Sequence, residues 1–223
     1  MKSIKAKILT VLLSITIAFG ALIGYSIYSL HSTTDSYSKL IDNEGQIRNN
    51  MQVVVSESVK QSLSVRGLIV STALKNEEEF NKAKDEIDTR LHTSQQLITK
   101  QQDKDTMNHL LALNNDFKTQ FDDMNTLVKN GGTEKEAINY WQMKVYPVGQ
   151  EMMKTAQTYA TKVAEDMEKQ NELNNKHTSQ VFIFMIILTV IAIIAAMLAS
   201  MIFACIMSEP INRVIEATQR LAN

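Results

Sequence analysis

The chain has 223 residues, 21% of them charged, with a formal net charge of −1. One cysteine, Cys205, excludes an intrachain disulfide framework or a cysteine zinc site. No clustered basic face suits nucleic acid, and seven glycines with two prolines favour long helices over sheets.

Lys2, Lys5 and Lys7 precede a first apolar run, residues 8–28. The run is longer than a signal-peptide core and lacks an A-x-A site, so it reads as a retained anchor. Tyr25 and Tyr28 close it, as an interfacial aromatic belt would. The lysines predict a cytoplasmic N-terminus (residues 1–7). Gly20 and Gly24 form a GxxxG, a spacing that lets helix backbones approach closely in lipid.

Residues 29–180 form a polar region holding most of the charge, with 18 Lys/Arg and 22 Asp/Glu between 31 and 180. Its first helix, 31–75, shows Tyr37, Ile41, Ile47, Met51, Val55, Val59, Leu63 and 68–70 at spacings of mostly three or four, as a bundle seam requires. A break at Lys75 and Asn76 follows, with Asn76 as cap and Glu77, Glu78 and Glu79 at the positive end of the helix dipole. The second stripe is Phe80, Ala83, Ile87, Leu91 and Ile98. After a break at 101–105, capped by Asp103 or Asp105, the third runs from Met107 through Phe117 and Phe121 to Val128. Asn130-Gly131-Gly132 stops it. Thr133 and Glu136 form a capping box that opens the fourth helix. Pro147 lies inside that helix and predicts a kink or a break.

The second apolar run, residues 181–207, contains no charge. As a helix it is roughly 40 Å long, against a hydrocarbon core of about 30 Å. Ala192, Ala196, Ser200 and Ala204 give it a face of small residues at every fourth position, predicting a tight transmembrane core of two spans from each chain of a dimer. Arg213 and Arg220 beyond it predict a cytoplasmic C-terminus, leaving 29–180 outside the cytoplasm. The expected fold is all-α: an up-down-up-down four-helix bundle between two transmembrane helices.

Residues 208–223 begin Ser208-Glu209-Pro210-Ile211 and continue with Val214, Ile215, Ala217, Thr218, Leu221 and Ala222. A proline–aliphatic pair right after a span, followed by an apolar seam, resembles the start of a HAMP linker. The whole pattern resembles the N-terminal part of bacterial methyl-accepting chemotaxis receptors with four-helix-bundle ligand-binding domains. On that resemblance the chain is a fragment ending within the HAMP-like helix, or a receptor without its output module.

The resemblance implies a homodimeric sensory receptor in the cell membrane that detects an extracytoplasmic small molecule or a ligand-carrying protein. In amino-acid receptors of that family, arginines on the first bundle helix hold the ligand carboxylate. Arg66 occupies that kind of position, and Arg48 lies nearer the membrane. No second arginine lies close to Arg66, so the amino-acid pattern is not reproduced. Asn139, Gln142 and Tyr146 on the fourth helix stand at comparable height as hydrogen-bonding partners. The alternative for Arg66 is an interhelical ion pair, and for Trp141 and Tyr146 plain core packing. His92 and His109 lack the further ligands a metal needs. No cofactor is expected, and no HExxH, P-loop or GxSxG motif supports catalysis. The rival readings are the sensor module of a histidine kinase or diguanylate cyclase, and a structural bundle that binds nothing.

Overall fold

A computed structural model describes the backbone of residues 4–70 and 74–222, and their side chains apart from 4–8, 11, 12, 206, 207 and 209–222. Lys2 and the side chains of Lys5, Lys7, Pro210, Ile211, Arg213 and Arg220 therefore lie outside the described residues. The elements are α1 (Ile4–Lys39), a π-turn (Leu40–Gly45), α2 (Gln46–Val70), α3 (Leu74–Leu97), α4 (Gln101–Lys129), α5 (Glu134–Tyr140), a second π-turn (Trp141–Val145) and α6 (Tyr146–Ala222). The fold is an all-α bundle, as its periodicity predicts. The chain divides into two compact units, Tyr37–Glu172 and Met1–Ser36 with Leu173–Asn223.

In the Tyr37–Glu172 unit, four helical stretches bury one core. Phe80, Ile87 and Leu91 of α3 meet Met107, Leu110, Phe117, Phe121 and Met124 of α4, with Met51 and Val54 from α2 and Met152 and Ala156 from α6. Phe80 stacks on Phe121 (centroids 4.0 Å apart, 15° between planes) and meets Phe117 edge-on (5.4 Å, 85°). Such ring pairs add to the stabilisation from burial alone.

The turns follow local chemistry. Gly131 takes φ +84°, Gly132 N–H donates to Leu127 O, and Gly131 N–H donates to Val128 O. These are the two hydrogen bonds of a Schellman stop. Thr133 Oγ1 accepts from Glu136 N–H while Glu136 accepts from Thr133 N–H, completing the predicted capping box. The Thr133 N–H and, beside it, the Thr133 hydroxyl both donate to Glu136 Oε2 at 2.8 Å, and these two bonds hold the Glu136 carboxyl below the usual carboxylate range.

Four expectations need correction. Pro147 neither breaks nor ends the fourth helix, because the π-turn just before it admits an extra residue: Tyr146 N–H reaches Trp141 O, five residues back. A π-turn widens the helix where a proline ring would otherwise crowd the preceding turn. Asn76 does not cap a helix, since α3 already includes Leu74, and its side chain lies instead over Gly67, where an added Cβ would sit 2.4 Å from Asn76 Oδ1. Asp103 does not cap α4 either, and it pairs with Lys162 of α6 at 2.5 Å. Finally, the apolar stripe finds only part of the inner face of α2: Ile47, Met51 and Leu68 are buried as expected, but its middle is misplaced. Val59, Leu63 and Val70 are exposed, whereas Ser58, Gln61 and Ser64 are buried.

Those buried polar groups are largely satisfied. Ser58 donates to Val54 O and Ser64 to Lys60 O. Gln61 Nε2 donates to Asn114 Oδ1 at 3.0 Å. Asn114 Nδ2 in turn reaches Asp88 Oδ1 at 2.8 Å and Lys84 O at 3.1 Å. Asn50 Nδ2 donates to Ser94 Oγ at 3.1 Å. Polar layers of this kind set the register between helices, since any slide breaks them.

In the other unit, α1 and α6 supply two stretches long and apolar enough to cross a membrane, of mean hydropathy 1.6 and 3.2, with 6% and 0% of their apolar windows buried. Apolar helices so little covered by protein are not core helices of a soluble domain. The two pack along a seam of half-covered residues spaced by three, four or seven: Ile15, Leu22 and Ser26 on α1, Val181, Met185, Leu188, Ala192 and Ala196 on α6. Tyr25 meets Phe184 edge-on at 5.8 Å. Ser26 Oγ, 2.7 Å from Leu22 O, lies 2.9 Å from Met185 Sδ.

The small-residue faces divide. Ala192 and Ala196 lie in this seam, while Ser200 and Ala204 are exposed. Gly20 and Gly24 lie off it, and an added Cβ at either would meet nothing within 4 Å. Within one chain the GxxxG is therefore not the face that meets the second span. Bulky Met185 and Leu188 share the seam with the alanines, which a search for small residues overlooks.

Candidate functional site

The second π-turn brings its residues to a cleft between α2, α4 and the start of α6. The cavity is about 140 Å³, lined by Val59, Ser62, Leu63 and Arg66 of α2, Phe117 of α4, and Trp141, Val145, Tyr146, Gln150 and Met153. Two larger troughs, of about 810 and 530 Å³, are shallower. One is lined wholly by α3 residues, the other by α4 and α6 side chains that are mostly polar.

Each wall of the small cavity has a structural origin. Gly149 lets α6 approach closely, since an added Cβ would sit 3.0 Å from Phe117 Cζ and 3.5 Å from Ser62 Oγ. Phe117 forms the floor, held from behind by Phe80. Trp141 and Tyr146, five residues apart across the π-turn, meet with centroids 5.3 Å apart. In an α-helix, residues five apart point in directions well separated around the axis. The extra residue of the π-turn brings both rings to one wall.

Arg66 stands at the mouth with its guanidinium carbon 5.3 Å from the Trp141 ring centroid. Among the described residues no carboxylate pairs with it. It is therefore an exposed cation held over an aromatic face. An arginine in that state suits a carboxylate or another planar anion.

Of the four residues expected to share a site, Arg66 and Tyr146 meet in this cavity. Asn139 and Gln142 are exposed and outside its lining. The reason is the π-turn, which changes which fourth-helix residues face α2. The expected site residues did not include Ser62 and Gln150. For Gln150 the signal was Pro147, whose cost within a helix implied some departure from regular geometry nearby; Ser62, on α2, had none. Trp141 is half-buried and packs against the core, whereas Tyr146 is 44% exposed.

Outside the cavity, the first-turn acid Glu77 does more than meet a helix dipole. Its Oε2 accepts from Lys129 Nζ at 2.9 Å and Asn125 Nδ2 at 3.1 Å, and these bonds hold the carboxyl below the usual range. Tyr140 Oη lies 2.9 Å from Gln120 Oε1 and 3.2 Å from Asp123 Oδ2, and burial with Asp123 pushes its phenol up. His92 faces Gln95, and His109 faces Glu151. Among the described residues no group of three or more His, Cys, Asp and Glu side chains is placed to hold a metal ion.

No protein-family description matches the sequence. No curated protein matches it either. Among solved structures, a periplasmic sensor domain of a sensor histidine kinase is similar, with a TM-score of 0.52 and 14% identity, over 62% of this chain and 93% of that one. At that identity the likeness is one of fold: the helices of this chain follow the same architecture as that sensor domain.

Proposed function

We propose that the chain is a membrane-anchored sensory receptor of the chemoreceptor type. Both chain ends face the cytoplasm, Tyr37–Glu172 lies outside the cell membrane, and two copies form the working unit. The observation that carries this reading is the cavity itself. It holds a cation without a carboxylate partner among the described residues, and its wall belongs to the stretch that continues into α6, which itself extends from Tyr146 to Ala222.

A small carboxylate entering the cleft would meet Arg66 and pack on Trp141 and Tyr146. That adds contacts on both sides of the π-turn. A π-turn and the regular helix beside it differ by one residue of register, so a ligand that favours one alters the rotation of the helix beyond the turn. Coupling of about 1–3 kcal/mol suffices for such a device. On this reading the output lies in whatever α6 leads to through the HAMP-like start at Pro210 and Ile211, and these residues perform no catalysis. A second reading, the sensor module of a histidine kinase, is favoured by the fold likeness to such a kinase's sensor domain. Both readings share the sensing step and differ in the output.

Cross-linking between the spans tests transmission. Ser26→Cys and Met185→Cys, in a Cys205→Ala background, place two thiols where Ser26 Oγ and Met185 Sδ are 2.9 Å apart. With chains in lipid discs, the disulfide should form at a rate that changes when small mono- and dicarboxylates are added. Rates unaltered by every probe that binds the bundle would remove the signalling role.

A further inference from the structure

The end of the bundle that holds Tyr37 and Glu172 gathers a group of charges that the sensing cavity does not use. Asp103 of α4, 8% exposed, pairs with Lys162 of α6 at 2.5 Å. Lys100, just ahead of α4, reaches Asp166 of α6 at 4.0 Å. Glu44 belongs to the first π-turn and interacts with Asp166, Lys100 and Asp103. Its Oε2 is buried and has no hydrogen-bond partner. Tyr159 of α6, 5% exposed, lies close enough for Asp103, Asp166 and Glu44 all to push its phenol up, after burial itself.

Three carboxylates thus share two ammonium groups. With Asp103 and Asp166 each matched to a lysine, the Glu44 carboxylate carries the unmatched charge. Nothing on its own turn compensates, since Asp42 is itself acidic and accepts from Ser38 Oγ at 2.6 Å. The backbone at this place also departs from the regular helix. Gly45, beside Glu44, lies against α6, with an added Cβ 3.7 Å from Met167 Cε. A buried oxygen without a partner and an irregular turn coincide at one residue.

We propose that Glu44 is a proton-responsive latch: protonated, it seats the first π-turn against α4 and α6, and ionised, it loosens that end of the bundle. Protonation removes the unmatched negative charge and turns the carboxyl into a donor within the electrostatic reach of Asp166 and Asp103. Burial, then Asp166, push the Glu44 carboxyl above the usual range, Lys100 acts against them, and Asp103 acts with them. The folded chain therefore keeps the proton to higher pH than the unfolded chain does. Stability falls as pH rises from the ordinary carboxylate value through the raised one, and the full cost of the ionised form is present above it. A bundle outside the cytoplasm would meet such changes in its surroundings directly. The latch itself does not depend on the chain being a receptor.

The test is thermal unfolding of the full chain in lipid discs from pH 5 to pH 8, compared with Glu44→Gln. Trp141 is the one tryptophan, so its fluorescence reports this bundle. At pH 8 Glu44→Gln should melt higher than wild type by about 2–4 °C, and the gap should close on acidification. A constant gap, or a wild type that melts higher at pH 8, overturns the proposal. Two further variants decide the matter if Glu44→Gln does not fold. Asp166→Asn should move the wild-type transition to lower pH, and Lys100→Gln should move it to higher pH. Unmoved midpoints in both would refute the latch equally.

Discussion

Phe80→Ala is expected to cost the bundle about 3–5 kcal/mol of folding stability, the range for truncating a fully buried aromatic ring. Phe80 has no exposed surface, and its ring touches both Phe117 and Phe121. Removing it deletes the transfer contribution of the side chain and leaves a void that Ala83 and Ile87, on the same helix, cannot fill. Two ring–ring contacts are lost with it. The effect reaches the cleft as well, because Phe117 forms the floor beneath Trp141 and Val145. Urea unfolding followed by Trp141 emission measures the loss, and an emission shift in the folded baseline reports the disturbed floor. A loss below about 1 kcal/mol would mean that the three rings are not the centre of this core.

Asn114→Leu is expected to cost about 2–4 kcal/mol, through unmet hydrogen bonds rather than a void. Asn114 is fully buried and joins Gln61, Asp88 and the Lys84 carbonyl. Gln61 has no exposed surface, and its Oε1 has no partner even in the intact protein. Taking away Asn114 Oδ1 leaves the Gln61 amide with neither end satisfied. The diagnostic result is non-additive: Gln61→Leu together with Asn114→Leu should be more stable than Asn114→Leu alone, because the unmet group goes with its partner. A double variant as unstable as the sum of the singles would show that the layer contributes nothing as a pair.

These residues also show what the sequence discloses and what it hides. The apolar faces of α3 and α4 are legible residue by residue, since Phe80, Ile87, Leu91, Leu110 and Phe121 follow the helical period and are all buried. The Thr133 cap and the Gly131 stop are equally plain, because one local interaction decides each. On α2 periodicity finds Ile47, Met51 and Leu68 but fails in the middle, where the core face carries Ser58, Gln61 and Ser64 and the apolar Val59 and Leu63 line a cleft. A hydrophobic pattern finds the buried face only when burial is apolar. Here hydrogen bonds to α4 and to helix carbonyls substitute.

The candidate cleft was half legible. Arg66 and Tyr146 share the cleft, but Asn139 and Gln142 do not, because five-residue spacing across the π-turn rotates the fourth helix relative to a regular reading. The proline that signals the irregularity leaves open whether the chain kinks, stops or widens. Glu44 gave no signal of its own, since its neighbours Lys100, Asp103 and Asp166 come from distant parts of the chain.

The most direct test of sensing is a titration of the full chain in lipid discs with a panel of small mono- and dicarboxylates, read by Trp141 emission. The cleft predicts that at least one of them changes the emission saturably. Arg66→Ala should then weaken that binding by about 10–100-fold, the loss expected when a charge-assisted contact is removed. If no carboxylate perturbs Trp141, or if one binds Arg66→Ala as tightly as wild type, the cleft is not the sensing site.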